Sequence, residues 1–218
     1  MKKILASILA VVGLSASAQP KPEMVDVDSI IYSMPTISGD AIDFVVPTKE
    51  SFQGAPEFHE DEWRQLEFFP RSQLKAVQSK LKEYKAFEQK NRVSSGWKNI
   101  YVRNIQMDNI SLTVANLISI TASELHPGPL LTSASKPLGQ VKNGFSVAIG
   151  DGALLYGVAE GRVIKSLAAS VYSNAGNIAL TSVYALLNKN TELLIVDWRN
   201  QMIIMDSFND GKLGVWKP

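Results

Sequence analysis

The sequence predicts an α+β fold in which one long amphipathic helix packs on a curved, mostly antiparallel β-sheet. Three observations predict it. Between Pro70 and Lys90 apolar residues recur with the period of a helix, beyond Gly96 the period drops to two, and turn-forming residues then recur at the spacing of an antiparallel meander. The composition agrees: 218 residues, 20% charged and 45% hydrophobic with no cysteine, describe an ordinary globular chain and exclude a disordered tract or a disulfide scaffold.

The chain opens with the three parts of a secretory signal peptide over residues 1–18. Met1-Lys2-Lys3 is a cationic start, Ile4 to Leu14 is an apolar run, and Ala16-Ser17-Ala18 is an A-x-A cleavage pattern. The apolar run falls short of the roughly 20 residues that cross a bilayer. With no cysteine, the cleavage site has none to carry a lipid. The expectation is a bacterial protein, periplasmic or secreted, with no membrane span after signal cleavage. Residues 19–24, with Pro20 and Pro22, read as a loose leader, and 19–218 as a single domain.

Val25–Ser33 and Ala41–Val46 carry short β-like runs separated by Met34-Pro35 and Ser38-Gly39, which suits edge strands. After the turn-rich Ser51 to Pro56 and the cluster His59-Glu60-Asp61-Glu62-Trp63, Leu66 and Phe68 alternate with Gln65 and Glu67 until Pro70 ends the run. The helix over residues 70–91 follows from Leu74, Val77, Leu81 and Tyr84 at i, i+3, i+7 and i+10, with Lys75, Lys82, Lys85 and Gln89 on the other side and Pro70 at its start. Ile110, Leu112, Val114, Ile118 and Ile120 alternate with Ser111, Thr113, Ser119 and Thr121, predicting a half-buried strand. Ser123 to Asn143 reads as a long Pro/Gly-rich connection.

The meander over 99–217 rests on turn signals at Asp151-Gly152, Glu160-Gly161, Asn174 to Asn177, Asn188 to Asn190, Arg199-Asn200 and Asn209 to Gly211. Glu192–Trp198 and Gln201–Ser207 are apolar on both faces and belong inside the sheet. In Arg162–Tyr172 the residues Val163, Leu167 and Val171 fit a helical stripe as well as they fit alternation. Closure into a small barrel and a plain sandwich both remain open alternatives.

Charge is unevenly spread. Residues 19–69 hold 3 basic and 11 acidic side chains, 70–92 hold 7 and 2, and 93–218 hold 10 and 8. No cationic excess is interleaved with aromatics, so a nucleic-acid partner has no electrostatic support. The acidic N-terminal segment is expected against the basic helix of the same molecule.

Chemistry has few places to reside. Without cysteine, thiol nucleophiles and Cys-based metal sites are excluded, leaving His59 and His126 as the only histidines. His59 stands beside Glu60, Asp61 and Glu62, and His126 lies in the loop His126-Pro127-Gly128-Pro129. Neighbouring side chains of an extended stretch point to opposite faces, which limits how many of these groups reach one ion. The glycines around Gly150 fit neither a dinucleotide fingerprint nor a P-loop, Gly144 to Ala148 lacks the second glycine of a nucleophile elbow, and Asp206 to Gly211 fails as a calcium loop at Phe208 and Lys217. No cofactor is indicated. Trp63 and Trp97 are the aromatics that suit a binding face.

Two functions follow from this. The first is a non-enzymatic exported binding or protein-interaction module, with a small apolar ligand or another exported protein as partner and with His59, Asp61, Glu62, Trp63, Trp97 and His126 as candidate binding residues. The alternative is an exported hydrolase or metal-dependent enzyme using His59, the Asp61/Glu62 carboxylates and His126.

Overall fold

The computed structural model describes residues 31–106, 108, 110–134, 136–208 and 212–218. The expected signal peptide, the leader and most of the Val25–Ser33 run lie outside the described residues. The first half of the chain contributes β1 (Thr36–Ser38), β2 (Phe44–Val45), the single turn α1 (Lys49–Phe52), β3 (Glu57–His59) and β4 (Leu66–Pro70). Then come α2 (Leu74–Asn91), β5 (Arg92–Val93), β6 (Gly96–Trp97), β7 (Tyr101–Arg103) and α3 (Val114–Thr121). The second half adds β8 (Leu125–Pro127), β9 (Leu130–Ser133), β10 (Lys136–Val141), β11 (Gly144–Ala148), β12 (Ala153–Glu160) and β13 (Val163–Val171). It closes with α4 (Asn174–Thr191), β14 (Leu193–Asp197), β15 (Met202–Ser207) and β16 (Leu213–Trp216).

The α+β class is as the sequence predicts, and the main sheet is open. Eight antiparallel strands run in the order β16-β15-β14-β4-β13-β12-β11-β8, with β16 and β8 as separate edges, so no barrel closes. Two meanders, β11 to β13 and β14 to β16, are joined by β4, which comes from far earlier in the chain. A smaller sheet has the order β2-β10-β9-β3, and β1 pairs with β7 in parallel.

Because side chains alternate across a strand, β4 sends Phe68 to one face and Phe69 to the other, and both are fully buried. Phe68 joins a core with Leu117 of α3 and Leu180, Val183 and Leu187 of α4. Phe69 joins Val77, Leu81 and Tyr84 of α2 with Leu194 and Val196 of β14 and Trp198. Trp63, Leu131, Val141, Leu154, Tyr156 and Ala168 fill a third core beneath the smaller sheet. The helix predicted over 70–91 forms as α2 after a 3-10 turn at Arg71–Gln73, and its buried stripe is the predicted one.

Three local expectations are corrected. The strand expected over 110–121 is extended only as far as Thr113, whose hydroxyl then accepts the Asn116 N–H (3.1 Å) and starts α3. The connection expected over 123–143 contains β8, β9 and β10. In Arg162–Tyr172, where alternation and a helical stripe fit equally, the strand forms as β13, paired on both sides by β12 and β4. The turn expected at Asn174 to Asn177 is the first turn of a second long helix, α4, capped by Ser173, whose hydroxyl accepts the Gly176 N–H (3.0 Å). Its buried Gly176, Leu180, Val183, Tyr184 and Leu187 keep helical spacing, but the Asn/Gly-rich start imitates a hairpin turn. Nor do the described acidic residues of the N-terminal segment form ion pairs with α2. Among the described residues its ion pairs go to Arg64, Lys142 and Arg199.

Gly176 lets α4 approach the turn before β12, since a Cβ placed there would stand 2.1 Å from the Gly152 carbonyl oxygen. Gly176→Ala is therefore expected to destabilise the fold by about 1–3 kcal/mol through overpacking, despite alanine's better helix propensity, and urea unfolding measures it. A second expectation concerns high pH. Burial, reinforced by the Glu83 carboxylate that accepts its hydroxyl (3.2 Å), pushes Tyr101 up to about 12. The folded phenol holds its proton where the unfolded one has lost it, so this contribution to stability is complete below pH 10 and disappears as pH rises through 12. Tyr101→Phe should flatten the fall in stability across that window.

Candidate ligand cleft

The site grows from β4. Immediately before it a 3-10 turn at Glu60–Glu62 ends at Trp63, and Arg64 then takes a left-handed backbone (φ 56°), a conformation that costs a non-glycine residue roughly 1–2 kcal/mol. That turn folds the Arg64 side chain back over the strand. Its Nε donates to Glu67 Oε1 (2.8 Å), Nη2 pairs with the same oxygen, and Nη1 pairs with Asp40. Glu67 lies in the middle of the main sheet, opposite Ala168 of β13 and Val196 of β14, and only 1% of it is exposed. Its second oxygen accepts the Trp198 Nε1–H (3.1 Å).

A second guanidinium reaches the same place from β7. Arg103 donates through Nη1 to Thr36 Oγ1 (3.1 Å) and through Nη2 to the Arg64 carbonyl (3.0 Å), and its plane lies 5.1 Å from the Trp198 ring. Its Nε is buried without a hydrogen-bond partner. Desolvation brings Arg103 down to about 10, with the nearby Arg64 charge adding to the effect and Glu67 opposing it. The Tyr156 hydroxyl completes the set: it accepts the Arg64 N–H (2.8 Å) and donates to the Glu62 carbonyl (3.2 Å), and burial raises it well above the usual tyrosine range.

Above this cluster runs a strap of residues 39–43 between β1 and β2. Gly39 crosses so close to β7 that a Cβ there would meet Arg103 O at 2.9 Å, and Asp40 follows it. Under the strap lie two adjoining clefts of about 420 Å³ each. Both are lined by Asp40, Ile42 and Trp63; the first also reaches Arg64, Lys142, Val158 and Lys165. Lys142 faces Asp43 (3.7 Å) and Lys165 faces Glu160 (3.1 Å). A third, more polar cleft of about 400 Å³ lies on the other side of Glu62 and Gln65, beside Arg199 and the start of α4.

The fold divides the residues that the sequence singled out. Trp63 is 3% exposed, packed on Phe58 and Tyr156 (ring centroids 6.3 and 5.1 Å), and is at once core and cleft wall. Asp61 lines a cleft under the strap, whereas Glu62 turns to Arg199 in the polar cleft. His59 ends β3 and caps the turn that follows: its Nδ1 accepts the Asp61 N–H (3.2 Å) beside Asp61 Oδ2 (3.4 Å), and its Nε2 faces the Ala134 N–H (3.2 Å). His126 belongs to β8 in the main sheet, opposite Ser146 of β11. Trp97 lies apart on β6 with the Arg92 guanidinium 5.7 Å from its ring. Among the described residues no group of three or more His, Asp and Glu side chains is placed to hold a metal ion.

Arg64, Glu67, Arg103 and Asp40 are the site residues that sequence reasoning passed over. The Arg64-x-x-Glu67 spacing inside an otherwise apolar stretch was the available signal, but alternation made its polar side look solvated. Comparison with family models, with curated proteins and with solved structures finds no match to this chain.

Glu67→Gln would leave two buried guanidiniums without their carboxylate, and the expected loss is roughly 3–5 kcal/mol in urea unfolding. The double variant Arg64→Met/Glu67→Met removes both charges together and should lose less than Glu67→Gln alone.

Proposed function

We propose that this chain is an exported binding protein, without chemistry of its own, that holds a small, partly apolar ligand in the clefts under the 39–43 strap. One observation carries the reading: adjoining hollows of about 420 Å³ share the apolar Ile42 and Trp63 and meet a few convergent polar groups. Small-molecule sites combine this size and lining. Export rests on the signal-peptide pattern of residues 1–18. The hydrolase reading has less support, because Asp61 and Glu62 line different clefts and the two histidines belong to different sheets.

A second reading, contact with another protein, is favoured by one surface. Residues 166–188 contain no charged side chain, and α4 leaves Ile178 71% exposed with Leu186 also at the surface. Such a face meets a second copy of itself without opposing like charges.

Native mass spectrometry of protein purified from the periplasm, compared with the denatured sample, tests both. The expected result is a bound small molecule that is lost on denaturation and lost again in Ile42→Trp, which fills the cleft. Bare protein at dimer mass would favour the second reading. A stoichiometric metal lost in His59→Ala would put the enzyme reading ahead of both.

A further inference from the structure

The buried cluster does not balance its own charge. Arg64 and Arg103 are 4% and 2% exposed and both carry a positive charge, while Glu67 supplies one negative. Asp197, the other buried carboxylate nearby, keeps its charge but directs its two oxygens to the Asn200 N–H (2.9 Å) and Nδ2 (2.7 Å). A buried charge left without a counter-charge is strongly unfavourable, so two guanidiniums that share Glu67 gain from one more anion in direct contact. That anion is Asp40, and it differs from the others in its position. Its side chain is 47% exposed, it stands on the strap rather than in the sheet, and it meets Arg64 Nη1 at the cleft wall.

We propose that the ligand of this cleft is a carboxylate-bearing small molecule whose carboxylate takes the place of Asp40 on Arg64 Nη1. The inference rests on the reading of the cleft as a binding site and names the class of ligand. Asp40 is then a built-in stand-in that keeps Arg64 neutralised while the cleft is empty. Exchange of one carboxylate for another leaves the charge of the buried cluster unchanged, so the entering group meets no electrostatic penalty that Asp40 did not already relieve. Lys142 and Lys165 line the same cleft, each beside an exposed carboxylate, and Ile42, Trp63 and Val158 offer the apolar surface for the rest of the molecule. A neutral ligand of the same shape has no means of separating Asp40 from Arg64.

The test uses benzoate and its neutral analogue benzamide, titrated at fixed ionic strength into the wild type, Asp40→Asn and Asp43→Asn and followed by calorimetry. Asp40→Asn removes the stand-in and is expected to bind benzoate at least about tenfold more tightly than the wild type, with benzamide unaffected. Asp43→Asn makes the same change of charge on the same strap at a side chain that faces Lys142, and should not reproduce the gain. Equal tightening in both variants overturns the proposal by showing a general charge effect. Equal affinities for benzoate and benzamide in Asp40→Asn overturn the carboxylate class while leaving the cleft a binding site. If neither compound shifts the Trp63 or Ile42 resonances, the cleft reading falls with it. Should Asp40→Asn not fold, the wild type answers the question. On adding benzoate the Asp40 carboxyl carbon and Arg64 Nε resonances should move together, and fixed resonances at saturation overturn the exchange.

Discussion

A carboxylate placed mid-strand in a sheet covered on both faces must find hydrogen-bond donors within the protein, because no water reaches it. Glu67 finds Arg64 on one side and the Trp198 indole on the other. From this the rest of the cluster follows. Arg64 reaches Glu67 from a left-handed backbone, and that turn presents its own N–H to Tyr156 and its carbonyl to Arg103. Arg103 brings β7 against the core, β7 brings β1, and β1 delivers the strap. One buried acid thus ties together elements that lie far apart in the sequence, a use of buried polar groups for specificity.

The same strand organises the hydrophobic layers. Phe68 and Phe69, adjacent in sequence, serve cores on opposite faces of the sheet, so β4 contributes to the packing of α2 and of the α3–α4 layer at once. On the strap side the strand's other neighbour is Ala168. Its small side chain leaves room beside Glu67 for the Arg64 guanidinium, which is how a charged group and a close-packed sheet occupy one interior.

Much of the architecture was legible in the sequence. The stripe Leu74, Val77, Leu81 and Tyr84 and the doubly apolar Leu193 to Val196 run mark elements that form where they point, whereas the period-two stretch beyond Gly96 is interrupted by α3 and α4. What misled was short-range ambiguity. Residues 110–121 alternate well enough for a strand, and the Thr113 cap decides for helix over the last eight of them. Asn174 to Asn177 has the composition of a turn, and the apolar stripe that follows it carries the helical signal. The site was harder to see. Asp40, Arg64, Glu67 and Arg103 span more than sixty positions and none is unusual alone. Their meaning lies in the register that puts Glu67 between Ala168 and Val196, and register across a sheet is set by distant partners.

The position of β4 also sets a problem of timing. A ribosome that adds about 5–20 residues per second makes the roughly 120 residues between Pro70 and Leu193 in about 6–25 s, and throughout that interval β4 lacks the neighbour on one of its edges. Leu66, Phe68 and Phe69 are apolar enough to seek other strands while they wait. The ionised Glu67 at the centre of that run and Pro70 at its end interrupt such pairing. The carboxylate that anchors the finished sheet therefore also guards the nascent chain before the sheet exists.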